Sequence, residues 1–350
     1  MAFFAVTIEE IDSINPIPGA DLIQVATVKG MAFTFVIAKD AFSLGDKVLY
    51  FPIDSLLPAP LANALGVAGK LAGKDKDRLK TVRLRGVLSQ GLVGKLNLID
   101  TLEDRSPESI TRFLGVAKYD PPEVICQGGR LTAHVSGVST YDIEGADRYP
   151  AALEKLLDQA VFITEKVEGS NWYGGVDDEG HFVVGQRSGS IIAESPQAHT
   201  WWSTAMEQGI LDAAKAIQAE SAPGTSVIFR GEIAGGKIQG NYYGMPKVRI
   251  YTFDLLLGGR YAAAEEFLRL ARQHQVETAP VLACGITLRE WLNQEGKHSI
   301  KDASHGMSRL APVLREGIVI KPLVEQYDDT LKGRLFIKQR DPIYLDKTGN

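Results

Sequence analysis

The chain has little of what staples small secreted proteins or cages metals. Its two cysteines, Cys126 and Cys284, are far apart and belong to no Cys-x-x-Cys pair. That argues against a disulfide framework and a structural zinc site. The six histidines form no triad and no ligand spacing, and no role is assigned to them. Apolar runs are short and broken by Gly, Pro or charge. None approaches the roughly 18 to 20 residues that a membrane span needs. The first ten residues lack the basic segment of a signal peptide. A cytoplasmic protein with no membrane partner is therefore expected. The chain also lacks an excess of positive charge, at a net −5. This argues against a protein whose whole surface binds nucleic acid, but it allows a local basic groove.

What is present suits a soluble globular protein with a sizeable core. The composition is 45% apolar and 23% charged over 350 residues, enough for two domains of ordinary size. The glycines are dispersed and read as turns rather than low complexity. One basic stretch runs from Lys70 to Arg85, with Lys74, Lys76, Arg78, Lys80 and Arg83 against Asp75 and Asp77. A run of this kind is as often a solvated face as a nucleic-acid contact.

Residues 1–100 read as short strands separated by turns. Phe3–Ile14, Leu22–Val28, Phe33–Ala38 and Lys47–Ile53 are the clearest, and Thr81–Leu84 and Gly91–Leu96 are expected to complete the set. That pattern predicts a small five-stranded barrel of OB type with a binding role. Residues 101–135 read as a connector, with a helix start at Ser106-Pro107-Glu108, a stop at Gly115, and an Asp120-Pro121-Pro122 turn. From residue 136 to 350 strands and helices mix without strict alternation, which predicts an α+β domain. Ala151–Gln159, Asp212–Glu220 and Ala262–Gln275 are the expected helices. No repeat of 20–50 residues is evident.

The chemical argument centres on Val161-Phe162-Ile163-Thr164-Glu165-Lys166-Val167-Glu168-Gly169-Ser170-Asn171. A lysine leaving an apolar strand into a Gly-containing turn can be held in a pocket with its amine toward a ligand. Free lysine, with a pKa of about 10.4, is protonated at neutral pH; burial and neighbouring cations free its lone pair. The tetrapeptide Lys-x-x-Gly discriminates poorly, because it also begins at Lys70 and Lys237. Only the Lys166 copy directly follows an apolar strand and precedes Ser170-Asn171. Further candidates lie in or beside apolar strands downstream: the polar Arg187, Glu232, Glu316 and Lys338, and the aromatic Phe253. Strand ends are where a rigid pocket can be built.

This order and spacing resemble the nucleotidyltransferase motifs of the covalent ligase and capping-enzyme superfamily. Glu165 to Asn171 resembles the RNA ligase form of the first motif, and the later residues fall where the later motifs are expected. Lys47-Val48-Leu49-Tyr50-Phe51-Pro52-Ile53-Asp54-Ser55 and Thr81 to Leu92 resemble the RNA ligases of the Deinococcus and Naegleria type, which carry an OB domain before the ligase domain. There are two departures. Position 168 is Glu where many relatives have Asp, and the last motif reads Lys338-Gln339-Arg340 where a second lysine is common. The resemblance covers nearly the whole chain and residues 116–150 least.

The resemblance implies an OB-type β-barrel followed by an α+β adenylyltransferase (ATP-grasp-like ligase) domain. It implies an ATP-dependent RNA ligase that seals 3′-OH and 5′-phosphate ends, at nicks in duplexes, through AMP on Lys166. Lys321 and Lys338 would hold phosphates and lower the pKa of Lys166. Glu232 and Glu316 would place Mg²⁺ or Mn²⁺ or bind the ribose. Phe253 would stack on adenine, with Glu165 near its edge. Arg187 would contact ribose or phosphates, Glu168 the ribose or a metal-bound water, and Asn171 a metal-bound water. Arg83 and Arg85 would meet the nucleic acid, and the protein would act as a monomer. The alternatives are a DNA ligase, a capping guanylyltransferase, and a non-catalytic OB-type RNA-binding protein. The short stretch after Lys338 is expected to leave no room for the C-terminal OB domain that capping needs. Taken singly, Phe253 reads as core, Glu232 and Glu316 as surface ion-pair partners, and Trp201 and Trp202 as core.

Overall fold

The computed structural model describes residues 4–119 and 128–348. Cys126 and the Asp120-Pro121-Pro122 turn lie outside the described residues. The chain divides into two compact units, Phe3–Pro122 with Asp147–Pro150, and Glu123–Ala146 with Ala151–Asn350.

The first unit is built on an antiparallel five-stranded sheet in the order Phe35–Ala38, Ile23–Val28, Thr7–Pro16, Lys47–Phe51, Leu92–Lys95. The long strand Thr7–Pro16 serves two partners. Its first half pairs with Lys47–Tyr50, and its second half with Gln24–Val28. A register shift between Ile11 and Ser13 separates the halves. Such a bulge bends a strand and increases its twist, which curls a sheet toward closure. Hydrogen bonds from Val36 N to Ser89 Oγ (3.0 Å) and from Gln90 N to Thr34 O (2.8 Å) tie the first edge to the segment entering the last strand. The result is the nearly closed barrel expected. Alternation along Lys47–Phe51 explains its unbroken apolar run. Val48 and Tyr50 enter the barrel core with Phe35 and Ile11, while Leu49 and Phe51 face a second core with Ile99 and Ile110. Both faces of this strand are therefore buried, and each such side chain contributes about 1.5–3 kcal/mol.

One expectation needs correcting here. Thr81–Leu84 does not complete the barrel; Val82–Leu84 pairs only with Val87–Ser89 in a separate two-stranded hairpin. Residues 101–135, read as a connector, divide between the two units. The helix Pro107–Phe113, capped by Ser106 as expected, buries Ile110 in the first unit. Gly129–Thr132 instead adds an edge strand to the second unit, and Asp147 returns to the first by accepting a hydrogen bond from Ala32 N.

The second unit holds two sheets. The larger runs Gly129–Thr132, Gly189–Ala193, Phe182–Gln186, Ser170–Val176, Val227–Ala234, Arg249–Leu257, Arg260–Tyr261. The smaller runs Glu144–Gly145, Ile337–Arg340, Gly317–Pro322, Ala160–Lys166, Val281–Thr287, with only its first pair parallel. Helices Thr200–Glu207 and Ile210–Ala219 lay Trp201, Leu211, Ala214 and Ile217 against Trp172, Phe229 and Ile233 of the larger sheet. Phe162 of the smaller sheet and Phe267 of the helix Ala264–Gln273 join the same core. Trp202 closes it by donating Nε1–H to Ile191 O at 3.0 Å. Both tryptophans are thus core residues.

Candidate active site

Lys166 is the last residue of a strand in the smaller sheet, and Ser170 is the first of a strand in the larger one. Only Val167-Glu168-Gly169 separates them, so the lysine stands where the chain crosses between sheets. Gly169 makes the crossing possible. A Cβ there would lie 2.4 Å from the carbonyl of Ile233 and 2.9 Å from Glu232 Cγ. The glycine therefore lets the lysine turn approach the strand that carries Glu232. The other two copies of the tetrapeptide have exposed lysines, Lys70 and Lys237.

Register places the remaining groups. Lys166 pairs with Gly317, which pairs with Arg340; Val319 pairs with Lys338; and Phe162 pairs with Lys321. Paired residues share a face, so Lys166, Lys321, Lys338 and Arg340 project from one side of the sheet. Gly317 leaves space between Lys166 and Arg340, and a Cβ there would strike Gln339 O at 2.1 Å. In the larger sheet Asn171, Glu232 and Tyr251 are in register and share a face.

Three carboxylates gather at the lysine. Lys166 Nζ donates to Glu316 Oε2 at 2.6 Å, and Glu232 and Glu168 act on it as well. Burial pulls the ammonium down, but Glu316, Glu232 and Glu168 together outweigh burial and hold it above its ordinary value. The expectation that cations depress Lys166 is thus reversed, because carboxylates are its dominant neighbours. Two other amines are depressed instead: Lys338, pushed down to about 8 by burial and by Lys166 and Arg340, and Lys321, lowered chiefly by burial. Glu232 is pushed up to about 8, chiefly by burial, against the pull of Lys166. Burial and Glu316 also raise Glu168, whose carboxylate accepts from Tyr344 Oη at 2.6 Å.

Four other residues have partners that the sequence did not disclose. Lys321 does not help to lower Lys166. It is 4% exposed and ion-paired with Asp254, which is fully buried. Asp254 also accepts from Tyr141 Oη at 2.5 Å and from Arg334 at 3.0 Å. Phe253 is the extra residue of a β-bulge, since Arg230 pairs with Asp254 and Gly231 with Thr252. A bulge re-aims a side chain, and Phe253 lies half-buried with its ring 5.1 Å from that of Tyr141. Arg187 grips Asp142 through Nε at 2.9 Å and a second nitrogen at 3.3 Å. Glu165 accepts from Ser308 Oγ and from Arg309 N, which binds its carboxylate to the loop before Glu316. Arg83 and Arg85 lie in the first unit and are exposed, Arg83 in the strand Val82–Leu84 and Arg85 in the turn after it, and Arg83 donates to Gly86 O at 2.9 Å.

A family model described as RNA ligase matches residues 159–338, which is 180 of the 350 residues. The chain belongs to the RNA ligase family. A second model, described as an OB-fold domain, matches residues 5–96. No curated protein sequence matches the chain. Among solved structures, the Naegleria gruberi RNA ligase with PPi superposes with a TM-score of 0.80 at 26% identity, covering 99% of each chain. An arginine-to-alanine variant of that enzyme with ATP and Mn gives 0.77 at 25% identity, covering 99% of each chain. A lysine-to-methionine variant with AMP and Mn gives 0.78 at 25%, covering 98% of each.

The residues of this ligase fit a divalent cation. Among the described residues, no three His, Cys, Asp or Glu side chains form a ready-made cage. Yet Asn171 Oδ1 is buried without a hydrogen-bond partner, and burial holds Glu232 at about 8 beside two further carboxylates. Unspent oxygen atoms and surplus negative charge suit Mg²⁺ or Mn²⁺, which keep several waters and share substrate phosphates rather than fill an all-protein cage. Sequence reasoning missed Asp142, Asp254, Arg334 and Tyr344. The signal for Asp254 was there: an acid inside the apolar strand Arg249–Leu257 must have a buried partner. Nothing in the sequence points to the other three.

Proposed function

We propose that this ligase joins RNA 3′-OH and 5′-phosphate ends by way of AMP taken from ATP and carried on Lys166. The observation that carries the reading is the position of Lys166 Nζ, at the crossing between two sheets, 2.6 Å from Glu316 and ringed by Glu232 and Glu168. The ammonium must first lose its proton, and Glu316 is the acceptor at hand. Nζ then attacks the α-phosphorus. The N–P bond forms as the bond to the pyrophosphate oxygen breaks, and pyrophosphate leaves with that electron pair. Lys338 and Arg340, on the same face as Lys166, receive the developing charge on the leaving phosphates. Glu232 and Glu316 would hold a divalent cation, with Asn171 placed toward its water, and the cation would supply neutralisation of the phosphates when bound.

The next two steps reuse the pocket. A 5′-phosphate oxygen attacks the phosphorus of lysyl-AMP, breaking the N–P bond and returning the amine. The 3′-hydroxyl then attacks the activated 5′-phosphate and AMP departs. Each is an in-line displacement, in which the protein aligns groups and neutralises charge. Phe253, re-aimed by its bulge, stacks on the adenine, with Glu165 near the adenine edge. Glu168 and Arg187 face the ribose and phosphates. We assign Lys321 to the floor of the pocket through Asp254. The substrate is a nicked duplex with RNA on the 3′-OH side, where the barrel unit grips through Arg83 and Arg85.

ATP labelled at the α-phosphate tests the first step. Stable labelling of the wild type is expected, and labelling from GTP alone would overturn the ligase reading. Nicks with RNA or DNA on each side test the substrate. Sealing should demand RNA at the 3′-OH strand, and equal sealing of DNA there sinks that assignment.

A further inference from the structure

Glu168 is held at both ends by tyrosines. Its backbone N–H donates to Tyr243 Oη at 2.8 Å, and its carboxylate accepts from Tyr344 Oη at 2.6 Å. Tyr344 is 2% exposed and sits in the helix Pro342–Thr348. Its ring meets that of Tyr242 edge-on at 5.3 Å, and Tyr242 Oη in turn donates to Leu314 O at 2.7 Å. The helix is anchored to the site itself. Asp341 N donates to Glu316 O at 2.9 Å, and Asp341 Oδ1 accepts from Ile343 N at 2.9 Å in the first turn. Tyr344 therefore comes from an element whose start is fixed to the residue that pairs with Lys166.

A bound tyrosine is needed here for an electrostatic reason. Glu168 and Glu316 lie side by side within hydrogen-bond reach, so that two ionised carboxylates repel there, and Lys166 is the cation that pairs with Glu316 and acts on Glu168. A mobile Glu168 would relieve that repulsion by swinging onto Lys166 and would tie up the nucleophile with a second ion pair. A neutral hydroxyl donor removes this option without adding charge. Hydrogen bonds to an ionised acceptor are short and roughly twice as strong as neutral ones, enough to hold one rotamer of a glutamate side chain.

We propose that Tyr344 is a positioning residue for lysine adenylylation, acting through Glu168 by holding that carboxylate beside Glu316 and off Lys166. The inference rests on the ligase reading of the Lys166 site. Tyr344→Phe keeps the ring and its contact with Tyr242 and removes only the donor. It should slow lysyl-AMP formation by about tenfold and weaken Mn²⁺ binding to the nucleotide-free protein, read by electron paramagnetic resonance, by a similar factor. Glu168→Asp withdraws the carboxylate by about 1.5 Å and should reproduce both losses. In a Glu168→Gln background Tyr344→Phe should change neither quantity. A purely structural tyrosine gives the opposite pattern: a lowered Tm, wild-type Mn²⁺ affinity, and equal losses with and without Glu168. That pattern overturns the proposal, as does a wild-type rate in Tyr344→Phe with label confined to Lys166. Label that persists in Lys166→Ala overturns the ligase reading and this inference with it.

Discussion

Two lysines project from the same face of the smaller sheet, and each meets a carboxylate, yet they are built for different ends. The Lys166 and Glu316 side chains are 22% and 8% exposed, whereas those of Lys321 and Asp254 are 5% and 0% exposed. Around Lys166 the acids outnumber their partners, and Asn171 Oδ1 is unspent. Around Asp254 charge is balanced: Lys321, Arg334 and Tyr141 all bind it, and Glu325 pairs with Arg334 through Nε and Nη2, leaving only Nη1 without a partner. An accessible cluster with excess acid can accept a cation and a phosphate. A sealed, charge-balanced cluster is costly to disturb and offers a ligand no surplus charge. The lesson is that a lysine at a strand position proves little until its acid is counted.

The sharpest way to separate the two is to remove each side in turn. Lys166→Ala should abolish AMP labelling, a loss of a thousandfold or more given that covalent transfer has no other nucleophile here. Circular dichroism should show an intact fold, because the pair stands at a partly solvated strand end. Label retained at even a tenth of the wild-type level breaks the comparison, since Lys166 would then be no more chemical than Lys321.

Asp254→Ala should act the other way round. It leaves Lys321 and Arg334 as buried cations without their shared acid, which costs about 3–5 kcal/mol of stability. Chemical denaturation measures the loss; a cost under 1 kcal/mol would show that the cluster is not a structural unit. The pH dependence follows from the same contacts. Burial alone would raise the Asp254 carboxyl, but Lys321 and Arg334 hold it at about 2, below its ordinary 3.8. A depressed carboxyl lends stability that is complete above its ordinary value and is lost as pH falls through the folded one. Wild type should therefore lose stability between about pH 4 and pH 2, and Asp254→Asn should lack that component.

Much of this site could be read in advance, and the reason is geometric. Lys166, Glu232, Glu316 and Lys338 sit in or beside apolar strands, so the sheet register that buries their neighbours also brings them together. Asn171 and Glu168 follow because only three residues separate the two strands. What could not be read was partner choice. That Arg187 grips Asp142, that Lys321 serves Asp254, and that Tyr344 binds Glu168 depend on pairings across 45, 67 and 176 residues. Local pattern carries no information over such separations. The barrel shows the same division. Its strand set was legible from alternation, but Val82–Leu84 has the alternation of a sheet strand and pairs only with its own hairpin partner. Which core the helix within residues 101–135 joins was not legible, because turn residues mark where a chain bends and not what its helix packs against.

The smallest effect tests the cost of keeping the open cluster ready. Glu232 is raised from 4.5 to about 8, which is the mark of an acid that folding has deprived of water without a full counter-charge. A group whose folded pKa exceeds its unfolded one contributes most below the unfolded value, and that contribution disappears as pH rises through the folded one. The metal-free protein should thus lose stability between about pH 4.5 and pH 8 on account of this residue. Glu232→Gln keeps the shape and removes the charge. It should be more stable than wild type by about 1 kcal/mol at pH 8, equal to it at pH 4.5, and defective in adenylylation. Added Mg²⁺ or Mn²⁺ should narrow the gap by stabilising wild type only. If Glu232→Gln is instead destabilised at pH 8, the acid is satisfied within the fold, as Asp254 is, and the distinction between an open and a closed cluster fails at the residue where it should be clearest.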